Sequence, residues 1–100
     1  MVVIVTESWC PTNISRVVAQ KYLEIAEKHP HDKSLGKIAF GPIFQAKDGT
    51  HVIFGWECKD DKVKESLMEL MKHEQMYSEI EGYKSSIDIY VDITEGAQFT

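Results

Sequence analysis

The alternation of hydrophobic and polar residues along the chain predicts four β-strands. Residues 2–9 begin with four consecutive apolar positions and then alternate, which is typical of a mostly buried strand. Residues 37–46 and 51–58 are rich in aliphatic and aromatic side chains, and Asp48-Gly49 between them is a strong hairpin signal. Residues 87–94 alternate strictly between Ile or Val and more polar side chains.

Two other segments have the spacing of amphipathic helices. In each of them apolar residues recur every three or four positions, and the positions between them are mostly polar or charged. Thr12 or Asn13 can cap the first helix, and Asp60 or Asp61 can cap the second. The two apolar stripes consist of Ile14, Val18, Tyr22, Ile25 and Ala26, and of Val63, Leu67, Leu70 and Met71.

The order strand, helix, strand, strand, helix, strand predicts one α+β domain over residues 1–100. A chain of this length has room for a single hydrophobic core. We expect a ferredoxin-like βαββαβ fold, in which a four-stranded antiparallel sheet of order 4-1-3-2 carries both helices on one face.

Charge and composition exclude several classes of partner. The net charge of -5 and the absence of a basic stripe argue against nucleic-acid binding. No apolar run approaches the ~20 residues that span a bilayer, so we expect no membrane partner. The first residues lack a basic leader and a cleavage site, and two cysteines are too few for a disulfide framework. We therefore expect a cytoplasmic protein with reduced thiols.

The parity of the strands predicts that one face of the sheet is not covered by the helices. The Ile/Val side of the last strand should meet the helices, and Glu7 would be costly there without a partner. If Asp48-Gly49 closes a two-residue turn, Phe44 lies opposite Ile53, and Ile38 shares a face with Phe44. The open face would then carry Val3, Val5, Glu7, Trp9, Phe40, Phe44, Ile53, Glu57, Asp88 and Tyr90.

Such a face exposes more apolar surface than a monomer tolerates. We expect a second copy of the chain to cover it, which would give a homodimer or a higher oligomer. A cavity between the two sheets could then bind a small, partly apolar ligand. We expect the pocket for this ligand to be lined by Trp9, Phe40, Phe44 and Ile53.

In its pattern and length, nearly the whole chain resembles the dimeric α/β-barrel superfamily, and most closely its small uncharacterised members. This resemblance implies two ferredoxin-like subunits with their sheets face to face around a central cavity. Some members are haem-degrading or quinol-forming monooxygenases that use an Asn on the first strand, a Trp and a His, and others are stress-response proteins. This chain offers Trp56 and His73 but no Asn on its first strand. No cofactor is predicted.

The candidate catalytic residues lie on the open face. We expect strands 1 and 3 to be parallel neighbours, which would bring Glu7 and Glu57 together at one end, with Asp88 nearby. Carboxylates crowded in an apolar cavity resist ionising together, so one of them could act as a general acid or base, or they could bind a cation. Tyr90 and His51 complete the candidate set. The alternative is a solvated rim of acids paired with Lys37, Lys59 or Lys84.

Two further motifs offer weaker chemistry. Trp9-Cys10-Pro11-Thr12-Asn13 resembles the W-C-x-x-C turn of thioredoxins, and with Asn13 at the resolving position it allows only a one-thiol redox role for Cys10. His29-Pro30-His31-Asp32 is a partial set of metal ligands, and a zinc site normally needs three or four. No metal site is predicted, and His73 is interpreted as a lone structural histidine.

Three hypotheses about function follow. The first is a non-catalytic ligand-binding or assembly module. The second is an enzyme, monooxygenase-like or acid/base, acting on a small apolar or aromatic molecule. The third is a one-thiol redox protein.

Overall fold

The computed structural model describes residues 2–91 of the chain. Five strands and two α-helices are present, with a short 3-10 turn at Thr12–Ile14 before the first helix. The strands are β1 (Val2–Cys10), β2 (Gly36–Phe40), β3 (Ile43–Ala46), β4 (Gly49–Cys58) and β5 (Lys84–Val91), and the helices are α1 (Ser15–Lys28) and α2 (Val63–Gln75).

All five strands belong to one antiparallel sheet. The hydrogen-bonded order is β2-β4-β1-β5, and β3 pairs with β4 as well. The prediction of an α+β domain with an antiparallel sheet and two helices is confirmed, and the arrangement is consistent with a ferredoxin-like fold. Residues 92–94, the predicted end of the last strand, lie outside the described residues.

The predicted second strand is divided in two, so the expectation of four strands was wrong. Gly41-Pro42 separates β2 from β3, and Pro42 has no N–H with which to continue the ladder. Its carbonyl still accepts a bond from the Ile53 N–H at 3.0 Å, so β2 and β3 together form one broken edge beside β4. The register also shifts between Ile38 and Phe40. Ile38 therefore lies opposite Trp56, on the face away from Phe44, contrary to prediction.

The hairpin turn lies one residue earlier than predicted. Ala46 pairs with Gly49, which leaves Lys47-Asp48 as the turn. Gly49 has a φ of 141°, and a Cβ there would overlap the carbonyl oxygen of Cys10, so the position requires glycine. Phe44 lies opposite His51 instead of Ile53. Because this change is two residues, the side chains of β3 and β4 keep their predicted faces.

Strands β1 and β4 are antiparallel, whereas the prediction made them parallel. Val3 faces Glu57, and Glu7 faces Ile53. Glu7 and Glu57 therefore lie four residues apart along the pair, about 13 Å at the usual rise per residue. β4 lies between β1 and β2, the two parallel strands of a βαβ unit, and is antiparallel to both. The prediction missed this reversal.

The hydrophobic core lies between α2 and one face of the sheet. Ile4, Trp56 and Leu70 are almost fully buried in it, together with Cys58. Trp56 Nε1–H donates to Ser66 Oγ at 3.1 Å, and this hydroxyl donates to the Leu35 carbonyl at 3.3 Å. The chain of bonds fixes α2, β4 and the segment before β2 to one another.

The helix α1 lies beside the segment that follows α2. Lys21 Nζ forms an ion pair with Glu79 Oε1 at 2.6 Å. Burial is the main cause of the raised pKa of Tyr77, and the nearby Tyr22 on α1 also contributes to it. Within residues 2–91, neither helix has the length and hydrophobicity needed to cross a membrane.

Candidate functional sites

The face of the sheet opposite the core carries the residues that the sequence predicted for an open face. Val3, Val5, Glu7 and Trp9 alternate with the core-facing side chains of β1. Among residues 2–91, the exposed aromatic side chains on this face are Phe40, Phe44 and Tyr90, with 42%, 45% and 53% of their surface accessible.

One end of this face contains a shallow hollow of ≈ 280 Å³. Its lining includes Glu7, Trp9, His51, Lys84 and Ser86. The Lys84 ammonium lies 5.4 Å from the centre of the Trp9 ring, which is within the range of a cation–π contact. The hollow therefore combines an aromatic wall with one acidic side chain, one lysine and one histidine.

The turn of the β3–β4 hairpin positions two side chains of the hollow. Trp9 Nε1–H donates to the Asp48 carbonyl at 2.9 Å, and His51 Nε2 lies 2.9 Å from Asp48 Oδ1. The hydrogen bond from His51 lowers the pKa of Asp48. Phe44 stacks on His51 with the ring centres 4.9 Å apart and the planes 3° from parallel. His51 is thus held from two sides.

The predicted cluster of three carboxylates does not form. Glu57 is paired with Lys37 at 3.4 Å, which matches the alternative of acids paired with lysines. Asp88 lies opposite Val5, and Tyr90 lies opposite Val3, two residues farther from the hollow. Of the five catalytic candidates, the structure brings only Glu7 and His51 to one hollow.

The predicted pocket residues are also divided. Trp9 lines the hollow, and Phe44 adjoins it through His51. A Cβ at Gly55 would overlap the ring of Phe40, so this ring lies across the middle of β4. Ile53 is half-buried beside Glu7.

Cys10 does not have the surroundings of a reactive thiol. It is 3% exposed, and burial raises the pKa of its thiol. A redox-active cysteine at a helix start needs a lowered pKa and access to its partner. Burial also raises the pKa of Cys58. These surroundings do not favour the one-thiol redox hypothesis.

A second group of chemically capable side chains lies on the core side of the sheet. His31, Glu69 and His73 each offer a ligand atom, and these atoms all lie within 4.8 Å of one another. His31 Nδ1 lies 3.3 Å from Glu69 Oε1, and the His31 and His73 ring centres are 4.8 Å apart. We call this group the His–Glu–His cluster.

The His–Glu–His cluster is held by the core. The His31 ring stacks on Phe54 and lies against Trp56, with both ring centres 5.2 Å away. Burial, followed by the charge that His31 can carry, lowers the pKa of His73. A groove of ≈ 190 Å³ opens beside the cluster and is lined by His29, Pro30, Glu69, Lys72, His73 and Met76.

The sequence motif around His31 predicted a partial set of ligands but no contact with α2. Asp32, its predicted companion, instead accepts bonds from the backbone and hydroxyl of Ser34. The available signal was the spacing of Glu69 and His73, because residues four apart share one helix face. Nothing in the sequence indicated that the loop after α1 would meet that face.

Comparisons with known proteins give no family. The sequence matches no protein-family model and no curated protein. Among solved structures, the chain is similar to a formyltetrahydrofolate deformylase from Pseudomonas putida KT2440, with a TM-score of 0.48 and 8% sequence identity. The similarity covers 92% of this chain but only 29% of the deformylase chain, and it is too low to support an inference about function.

Proposed function

We propose that this chain is a homodimeric ligand-binding module of the dimeric α/β-barrel type, whose two open sheet faces pair around a cleft for a small, partly apolar molecule. The observation that supports this proposal is the exposure of Phe40, Phe44 and Tyr90 on a single sheet face. Side chains of this size and exposure on one face are typical of an interface.

A second copy of the chain is the partner that this face fits best. A two-fold interface places one patch against itself, so the patch must be nearly balanced in charge. Here the acids Glu7, Glu57 and Asp88 share the face with the bases Lys37 and Lys84. Two copies can therefore pair acids with bases across the interface, whereas a strongly charged partner would find no complement.

The dimensions of the face suit a dimer. Four strands about 4.8 Å apart, the longest with 10 residues, give roughly 19 by 33 Å, or about 600 Å² before side-chain relief is added. A specific interface buries about 800 Å² per partner. The two areas are comparable.

The hollow at the Trp9 end is the proposed ligand site. Trp9 offers an aromatic wall, and Lys84 and Glu7 offer one charge of each sign. The ligand class is therefore a small aromatic molecule with a polar or charged substituent. The two free, buried cysteines fit a reducing compartment such as the cytoplasm.

An acid/base enzyme acting on such a molecule is the second candidate function. The observation that favours it is that Glu7 and His51 line the same hollow. A histidine held against Asp48 could accept a proton from such a molecule or return one to it, and a carboxylate nearby could stabilise the charge that develops.

Light scattering after size exclusion tests the dimer. We expect the wild-type chain at about 50 µM to have a mass near 23 kDa, twice its 11.4 kDa, which requires an affinity in the micromolar range. Phe44→Glu should shift the mass to that of the monomer because it buries a charge in the interface. Leu23→Glu is the matched control, since Leu23 is exposed on α1. A wild-type monomer at this concentration would contradict the proposal.

The ligand site is tested separately with the aromatic anion 1-anilinonaphthalene-8-sulfonate. We expect saturable fluorescence enhancement that Trp9→Ala weakens by about tenfold, because the aromatic wall is lost. Tyr22→Ala, which removes an exposed aromatic ring from α1, should leave binding unchanged. Equal binding by both variants would remove the hollow as the site without affecting the dimer.

A further inference from the structure

We propose that His31, Glu69 and His73 bind a first-row divalent transition-metal ion, with Zn²⁺ as the best match. The cluster lies on the core side of the sheet, because His31 packs on Phe54 and Trp56. This inference is therefore independent of the proposed dimer, which uses the opposite face.

The ligand types fit zinc. Two imidazole nitrogens and one carboxylate oxygen form the three-ligand set used by zinc sites that keep one position open. Sites for softer ions such as Cu(I) use thiolate ligands, and sites for Mg²⁺ or Ca²⁺ use more oxygen ligands. Both cysteines of the chain lie outside this cluster.

The distances are close to those of a bound state. A tetrahedral ion with bonds of about 2.0–2.1 Å places its ligand atoms roughly 3.3–3.4 Å apart. His31 Nδ1 and Glu69 Oε1 already lie 3.3 Å apart. The widest separation in the cluster is no more than 4.8 Å, so a rotation of side chains closes the remaining gap.

Two of the three ligands are held in place before an ion arrives. His31 is fixed by its stacking on Phe54, and Glu69 Oε1 accepts a bond from the Asp32 N–H at 3.2 Å. His73 lies one turn from Glu69 on α2, where the helix sets their separation. Ordered ligands lose little conformational entropy when they bind an ion, which favours affinity.

The fourth position would face the neighbouring groove. His29, Pro30, Lys72 and Met76 line this groove together with Glu69 and His73. A water molecule could complete the coordination from that side. The ion would thereby join the loop after α1 to α2 across 42 residues of sequence, from His31 to His73.

Titration calorimetry tests the site on untagged protein that has been dialysed against EDTA and then against metal-free buffer. We expect ZnCl2 to bind one ion per chain with a Kd of about 10 µM or lower. Glu69→Gln keeps the shape of the side chain, and His73→Gln keeps a polar side chain. Each should weaken binding by at least about tenfold, because each removes a ligand.

The matched control is His51→Gln. His51 is also paired with a carboxylate, Asp48 at 2.9 Å, but it is not part of the cluster. The affinity of the His51→Gln protein for Zn²⁺ should equal that of the wild type. Binding that is absent below about 100 µM in the wild type, or lost equally in this control, would overturn the proposal.

A measurement on the wild-type chain keeps the test valid if the His73 variant does not fold. Co²⁺ added to the metal-free protein should give the intense visible absorption of a four-coordinate ion, and Zn²⁺ should displace it. The weak spectrum of hydrated octahedral Co²⁺ would overturn the proposal.

Discussion

Two histidine–carboxylate pairs in this chain differ in how the fold creates them. His51 and Asp48 are three residues apart in a hairpin and lie on the proposed dimer face. His31 and Glu69 are 38 residues apart, and the core holds them beside a third ligand, His73. A histidine–acid contact thus acquires metal-binding capacity only from the groups that surround it.

The largest expected difference between the two pairs is their response to zinc. At 100 times its Kd, an ion bound only by the folded chain stabilises it by about 2.7 kcal/mol, which corresponds to a rise in Tm of roughly 10–20 °C. We expect this rise in the wild type and in His51→Gln, but not in His73→Gln. Differential scanning fluorimetry with and without ZnCl2 provides the measurement, and an equal rise in all three proteins would abolish the distinction.

The second test compares the pairs without metal. His31→Ala should reduce the free energy of unfolding by about 2–3 kcal/mol, because it opens space against Phe54 and leaves Glu69 without its partner. His51→Ala should cost less than about 1 kcal/mol, since the carboxylate of Asp48 remains solvated. Urea unfolding of both variants in EDTA checks this order. Similar losses of unfolding free energy would show that the two pairs do not differ in their contribution to stability.

The third test concerns the ring that covers the exposed pair. Phe44→Ala should raise the dimer dissociation constant by about tenfold, because it removes an aromatic contact from the proposed interface. Leu23→Ala on α1 should leave the constant unchanged. Analytical ultracentrifugation over a dilution series measures both, and equal effects would place the interface elsewhere.

The smallest expected effect is the pH dependence of the exposed pair. The hydrogen bond from His51 lowers the pKa of Asp48 in the folded state. The stability that this bond adds is therefore fully present above the pKa of Asp48 in the unfolded chain, and it is lost as the pH falls through the folded-state pKa. Asp48→Asn should therefore be slightly less stable than the wild type at about pH 5 and equal to it near pH 2. A difference that persists at low pH in urea unfolding would contradict this contribution.

Much of the open face could be predicted because strand alternation fixes which side chains share a side. Glu7, Trp9 and His51 were placed on one face from parity alone, and the two-residue shift of the hairpin did not change it. The break at Gly41-Pro42 was missed. Gly-Pro is a turn signal, but the apolar residues on both sides of it continue the strand pattern.

The His–Glu–His cluster could not be predicted in the same way. Periodicity describes one element at a time, whereas this cluster joins an irregular loop to a helix. The position of His31 depends on the aromatic surface of Phe54 and Trp56, which exists only when β4 is folded under α2. Packing of this kind has no local sequence signal.

Side-chain NMR of the histidine rings during a ZnCl2 titration of the wild-type chain observes both histidine–carboxylate pairs in one experiment. We predict that the ring-nitrogen resonances of His31 and His73 shift together and saturate at one ion per chain, while those of His51 stay unchanged. Shifts that appear equally at His51, or that are absent from His31 and His73, would contradict the distinction between the two pairs.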